Sequence, residues 1–263
     1  MDSSKKESSW LKCDLHVHSP LDQSKSFPES IKYAEQAFQN GKNDKYRKIA
    51  KKFLNNCKTP DGDFLDLIAL IDHKDVRGYK RLNPHFEDLL KEKDKFPQVL
   101  PGVEVSVGSE RTIHFLVIFE QGISASEIEK FLTHIFSKQK RFEEGRKNPI
   151  PAHMSLSDFL EKASGWLNPK TESRNIPSLV IPAHSDSSSG IYEAMKGKLR
   201  EMAIPEFTWD GFETNKNFGE LHIGFQELIQ KWAMLRQYGI KWENSTEKQK
   251  RRIKNKDDWP LIC

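Results

Sequence analysis

Short apolar runs alternate along this chain with longer segments whose apolar residues recur at helical spacing. Leu11–His16 reads as a first strand, and Ser26–Asn56, rich in Lys, Ala and Gln, as helix broken near Gly41. Leu67–Ile71 (LIALI) is continuously apolar, as expected of a strand buried on both faces. Tyr79–Lys93 is amphipathic with Pro84 inside it, and Val99–Val105 and Thr112–Phe119 predict two strands joined by a turn around Gly108. Ser124–Lys140 and Ser155–Ala163 predict helices, capped by Ser124 or Ser126 and by Ser155 or Ser157. A polar loop (167–175), a strand (Leu179–Ala183), a helix (Ile191–Met202), a short strand within Phe207–Thr214 and a long helix (Leu221–Tyr238) follow. A basic, polar stretch from Lys241 to Asp258 leads to Trp259–Cys263 (WPLIC), the opening of one more strand. About seven strands alternating with helices predict a mostly parallel α/β sheet, closed or doubly wound. A parallel barrel carries its chemistry at the C-terminal ends of its strands.

The polar residues fall largely at those ends. The first run leads into His16 and His18, the second ends in Asp72-His73, the third in Glu104 and the fifth in His184. The sixth carries Asp210 and Glu213, with Glu213 expected nearer the pocket wall than the site's centre. The fourth is an exception, with His114 near its start. His85, His134, His153 and His222 lie elsewhere. A single histidine at a strand end is ordinarily a hydrogen-bonded structural residue, and alternate positions share a face in any strand. The set is more telling than its members. Buried strand ends that repeatedly supply His, Asp and Glu cost several kcal/mol unless something binds them. Imidazole plus carboxylate without cysteine suits Zn²⁺, Mn²⁺ or Fe²⁺.

Composition narrows the class. The 263 residues are 36% hydrophobic with a net charge of +4, which permits a polyanionic partner without demanding one. The three cysteines, Cys13, Cys57 and Cys263, have no compact spacing, which argues for a reducing, cytoplasmic setting. No signal peptide and no membrane-spanning run is visible.

The motifs DLHVHS, IALIDH, PGVEV, the isolated His114 and PAHSD occur in an order that resembles the PHP (polymerase and histidinol phosphatase) family. The resemblance covers roughly residues 11–263, and the flank SSWLKCDLHVHSP is most similar to PHP domains fused to AAA or SMC-like ATPases, the TrlF-like group. It implies a distorted (β/α)7 TIM-like barrel and two or three divalent ions. His16 and His18 would bind the first metal, Glu104 would bridge the first and second, and His114 and His184 would complete the second. His73 would bind the third with an acidic residue after the HxH, for which Asp22 is the candidate. Catalysis would rest on His16, His18, His73, Glu104 and His184, with Asp14, Asp72 and Asp186 orienting the ligands. Asp72 and Asp186 read equally well as loop caps. Lys74 and Arg77 would contact substrate phosphate, although helix-surface positions suit both. One departure stands out. The family's last Asp-x-His motif is missing because the sequence stops at WPLIC, so the chain reads as a barrel cut short near its last strand. It is then a single domain over 1–263, the N-terminal part of a longer protein, with a helical insertion at about 23–63.

The function implied is phosphoester hydrolysis by a metal-bound hydroxide. The insertion's KNDKYRKIAKKF follows a strand's C-terminal end and is placed to meet DNA or RNA, although a dimer interface or ATPase contact suits it comparably. The basic run KQKRRIKNK (248–256) lies toward the other end of the barrel. A nuclease or phosphodiesterase is therefore expected. A small-molecule phosphomonoesterase of the histidinol-phosphatase kind and a non-catalytic scaffold attached to an ATPase are the alternatives. No Gly-rich phosphate loop followed by Lys and Ser or Thr is present.

Overall fold

The structure, a computed structural model, describes residues 11–22, 36, 44–92, 95–108, 112–137, 139–142, 149–164, 178–188, 190–197, 200, 210–239 and 241–254. Among them lie β1 (Cys13–Val17), α1 (Asp44–Asn56), β2 (Leu67–His73), α2 (Arg77–Glu92), β3 (Gln98–Val107) and β4 (Ile113–Phe119). There follow α3 (Ala125–Phe136), α4 (Leu156–Ser164), β5 (Ser178–Pro182), α5 (Ile191–Ala194), α6 (Ile223–Tyr238) and α7 (Glu247–Lys254). The expected strand at 259–263 and most of the 23–43 segment lie outside the described residues.

The strands form one sheet in the order β1-β2-β3-β4-β5. The first three are parallel, but β4 is antiparallel to both neighbours, which corrects the mostly parallel expectation. The cause is local. Only residues 108–112 separate β3 from β4, whereas a parallel return needs a crossover of a dozen residues or more. Because β4 runs backwards, its beginning lies at the rim where the parallel strands end. His114, the exception in the sequence, therefore pairs with Ser106, two residues beyond Glu104. β5 reverses again and finishes at the same rim.

In a flat sheet β1 and β5 would stand four strand spacings apart, about 19 Å. His16 and His184, just past the middle of β1 and the end of β5, have ring centroids 4.8 Å apart. Two imidazole side chains cannot span the difference, so the sheet curls into a half-barrel. Residues 210–213, part of the expected sixth strand, lie along the free side of β5. Asp210 N–H donates to Val180 O (2.8 Å), Glu213 N–H to Pro182 O (3.1 Å) and Ser185 N–H to Glu213 O (2.8 Å).

Both faces are covered, which explains the unbroken apolar run of β2. On the convex face Ile68, Leu70, Val103, Phe115 and Val117 pack against Leu82, Phe86, Phe131, Leu132 and Phe159 of the helices. Each such side chain contributes about 1.5–3 kcal/mol on burial. The concave face holds a smaller cluster of Leu15, Ala69, Ile71, Leu116, Ile118, Ile181 and Ala183. Gly102 makes room there, since a Cβ on it would stand 2.2 Å from Ile71 Cδ1. One layer higher the same face turns polar, at His73 beside Glu104 and His114 beside Ser106.

The helices hold two surprises. The expected helix at 191–202 breaks after Ala194, where Met195 is extended (φ −93°, ψ 128°), and residues 197 and 200 are helical again. The polar stretch after Lys241 contains a 3-10 turn (Trp242–Asn244) and α7. No helix among the described residues is long and apolar enough to cross a membrane.

Candidate metal centre

The rim is organised from β1 outward. A register shift between Asp14 and Val17 interrupts its pairing with β2, and the exposed Asp14 Oδ1 accepts His16 N–H at 3.0 Å. Beyond His18 the chain turns tightly. Ser19 donates its N–H (2.8 Å) and its Oγ–H (2.7 Å) to the buried carboxylate of Asp72. Leu21 N–H returns to Ser19 Oγ and Asp22 N–H to Ser19 O. This turn buries Asp22 completely, directly beneath His18 and His73. Asp72 therefore acts on the loop that presents His18 and Asp22.

Glu104, 1% exposed, is the hub. Its Oε1 is 2.5 Å from His114 Nδ1. Its Oε2 is 3.1 Å from His73 Nε2, 3.3 Å from His16 Nε2 and 3.7 Å from His18 Nε2. Asp22 Oδ2 lies 2.7 Å from His73 Nδ1 and 2.8 Å from His18 Nδ1. Across the cleft Glu213 Oε1 meets His16 Nδ1 at 2.8 Å, while its Oε2 accepts His184 N–H at 2.8 Å and stands 3.5 Å from His184 Nδ1. The expected ligands thus converge on one rim, and Glu213 joins them instead of standing at the wall. Three trios, His16–His18–Glu104, His16–His184–Glu213 and His18–Asp22–His73, each offer ligand atoms within 4.8 Å of one another. His114 reaches the cluster through Glu104.

These residues fit divalent cations. Two donors at about 2.1 Å from a tetrahedral ion stand about 3.4 Å apart, close to the spacings around Glu104 Oε2. His18 Nδ1 is buried with no hydrogen-bond partner among the described residues, despite its 2.8 Å distance from Asp22 Oδ2. A buried polar nitrogen without such a partner calls for an explanation, and an ion held by His18, Asp22 and His73 would supply one. The nitrogen and oxygen donor set suits Zn²⁺, Mn²⁺ or Fe²⁺.

Electrostatics agree. Burial pulls His16 down, but hydrogen bonds to Glu104 and Glu213 outweigh it and push its pKa up to about 9. Burial pushes Glu104 up, yet His114 and His16 hold it well below the usual carboxylate range. Glu213 is lowered too, His16 again outweighing burial. His184 is lowered by burial, with Glu213 opposing and the His16 charge adding. Burial, then the Asp22 charge, raises Asp72 to about 7. Without metal, His16 is an imidazolium at neutral pH. Its folded-state pKa lies above the ordinary value, so its stabilisation is complete below pH 6.5 and is lost as pH rises through about 9. A cation taking His16 must expel that proton. Mn²⁺ affinity is therefore expected to rise nearly tenfold per pH unit from pH 7 and to level off above about 9. Calorimetry in buffers of different ionisation enthalpy should find about one proton released at pH 7. A flat pH profile would count against His16 as a ligand.

The remaining expected residues are placed as follows. Asp186 Oδ1 accepts Asn215 N–H at 2.7 Å, tying the loop after β5 to the strand carrying Glu213. Arg77 opens α2, its Nη2 3.4 Å from Leu21 O and 3.5 Å from Asp75. Lys74 is not on a helix surface. It precedes α2 in a left-handed conformation (φ 52°) and is wholly buried, and burial lowers its pKa to about 7. Its Nζ donates to Ile150 O at 2.5 Å, an interaction either protonation state can make.

No protein-family model matches the chain, and no curated protein matches it. Solved structures do resemble it. One is a provisionally assigned metal-dependent phosphoesterase from Bifidobacterium adolescentis, 15% identical over 79% of this chain and 78% of that one, with a TM-score of 0.36. Another is an amidohydrolase from Chromobacterium violaceum with bound sulfate and no metal, 15% identical over 86% and 84%, with a TM-score of 0.38. Likenesses this distant bear on neither activity nor substrate, and the chemistry rests on the side chains described above.

Proposed function

We propose that this chain is a metal-dependent phosphoester hydrolase acting on nucleic-acid phosphodiesters. The observation that carries the reading is the set of three ligand trios that interlock through His16 and His18, the central one built on the buried carboxylate of Glu104. Divalent cations held there would polarise phosphoryl oxygens and acidify a water. The chain's own part is to hold and orient. Glu104 and Asp22 supply negative charge from beneath to His16, His18 and His73, and Glu213 supplies it to His184 across the rim. Asp72 and Asp186 fix the two loops that carry ligands.

Two features favour a diester in a polymer over a small monoester. A phosphomonoesterase needs cations ringing a narrow pocket, but Lys74 turns its amine to Ile150 O and Arg77 reaches toward Leu21 O and Asp75. In addition, α1 buries Tyr46, Ala50, Phe53 and Leu54 and exposes Lys48, Lys51 and Lys52 on its outer face. Those three lysines suit a phosphate backbone. Metal-loaded protein should cleave single-stranded DNA or RNA and bis-p-nitrophenyl phosphate, and leave p-nitrophenyl phosphate almost untouched. His16→Ala should abolish cleavage. Hydrolysis of the monoester alone would sink the reading.

The lysine face has its own consequence. Replacing Lys48, Lys51 and Lys52 by Glu should flatten the plot of log affinity for single-stranded DNA against log salt by about 2. Turnover of the small diester should not change. An unaltered salt slope would remove α1 from the binding surface.

A further inference from the structure

Lys74 spends a fully buried amine on a backbone carbonyl, and that carbonyl belongs to a segment standing over the metal rim. β2 accompanies β3 only as far as the pair His73 and Glu104. Beyond that point the same edge of β3 is taken by residues 149–154. Ala152 N–H donates to Ser106 O (2.7 Å), Gly108 N–H donates to Ala152 O (3.1 Å), and Val107 and Ala152 pair in parallel. The other edge of β3 is occupied by β4 through Val107. This strap therefore sits where β2 would have continued, directly above His73.

Two side chains grip it at consecutive carbonyls. Lys74 Nζ holds Ile150 O, and Gln139 Nε2 holds Pro151 O at 2.5 Å while Gln139 Oε1 accepts His153 N–H at 3.2 Å. Lys74 is in turn locked at its own backbone. Its N–H donates to Glu104 O at 3.0 Å, and its carbonyl accepts Arg141 Nη1 at 3.1 Å. Ile150 N–H closes the circuit on Arg141 O.

We propose that Lys74 and Gln139 are positioning residues that clamp the 149–154 strap as a wall of the metal cleft, and that this wall sets the fit of large substrates. The wall rests on the hydrolase reading; the clamp does not. Two variants test it. Lys74→Met keeps the unbranched stem, one atom shorter, and removes the amine. Gln139→Leu cuts the second grip without touching any residue next to a metal ligand. Hydrogen exchange followed by mass spectrometry should show peptides covering 149–154 exchanging at least tenfold faster in each variant, with β4 peptides and Mn²⁺ affinity unchanged. KM for single-stranded DNA should rise at least fivefold, while kcat and kcat/KM for bis-p-nitrophenyl phosphate stay level. Unchanged exchange in both variants would overturn the clamp. Loss of Mn²⁺ in Lys74→Met with a silent Gln139→Leu would assign Lys74 to the metal site instead. Faster exchange with KM unmoved would overturn the wall. A wild type that cleaves neither substrate would overturn the wall together with the hydrolase reading, and the exchange data would still decide the clamp.

Discussion

Glu104→Gln is expected to lower kcat/KM for a phosphodiester about a thousandfold, a loss of about 4 kcal/mol in transition-state stabilisation. The amide preserves shape but cannot supply charge, and Glu104 is the carboxylate that meets four imidazoles. Metal analysis should show at least one ion per chain lost. The fold should survive. Removing one partner of a buried ion pair costs about 3–5 kcal/mol, a cost that Glu213, the other carboxylate on His16, partly relieves, so the melting temperature of the metal-free protein should fall by roughly 10 °C. A variant with native turnover would show that the hub is a structural hydrogen-bond centre.

The second large effect concerns stability. Gly78 lies in the first turn of α2, and a Cβ there would stand 2.1 Å from both Asp72 Oδ2 and Ser19 Oγ. Alanine would improve helix propensity by about 1 kcal/mol. Overpacking costs about 1–3 kcal/mol, and the buried Ser19–Asp72 hydrogen bonds would be forced apart at about 1–3 kcal/mol more. The penalty wins. Gly78→Ala should lose about 3 kcal/mol net, or roughly 6–12 °C in melting temperature for a domain of this size. Ser19 anchors the turn between His18 and Asp22, so Mn²⁺ affinity should fall at least tenfold with it. An unchanged melting temperature would mean that α2 sits further from the rim than described.

How much of this was legible in the sequence differs from element to element. LIALI declared itself because both faces of β2 are buried, and DLHVH because alternate positions share a side. His114 stands out as an isolated histidine on an apolar run, but its strand's direction is written only in the five-residue link at Gly108, which leaves no room for a crossover. Glu213 reads from the sequence as a wall residue, because its place beside His16 and His184 depends on pairing with β5 across about thirty residues and leaves no periodic trace. Lys74 reads from the sequence as a phosphate contact or a helix-surface residue, since no pattern shows that one left-handed residue sends its amine inward. α7 was hidden because a helix with so few apolar residues looks like a solvated chain.

The contacts within the cluster span very different lengths of chain. His18 and Asp22 are four apart and Glu104 and His114 ten, whereas His16 and Glu213 are separated by 197. Closing the longest of these loops costs about 2–3 kcal/mol more in chain entropy than closing the ten-residue one. The hairpin half of the rim can therefore assemble early and by itself, while the seam between the first and last strands forms late and parts first. A cation bridging that seam would act as its rivet, and withdrawing it would loosen the protein from that side.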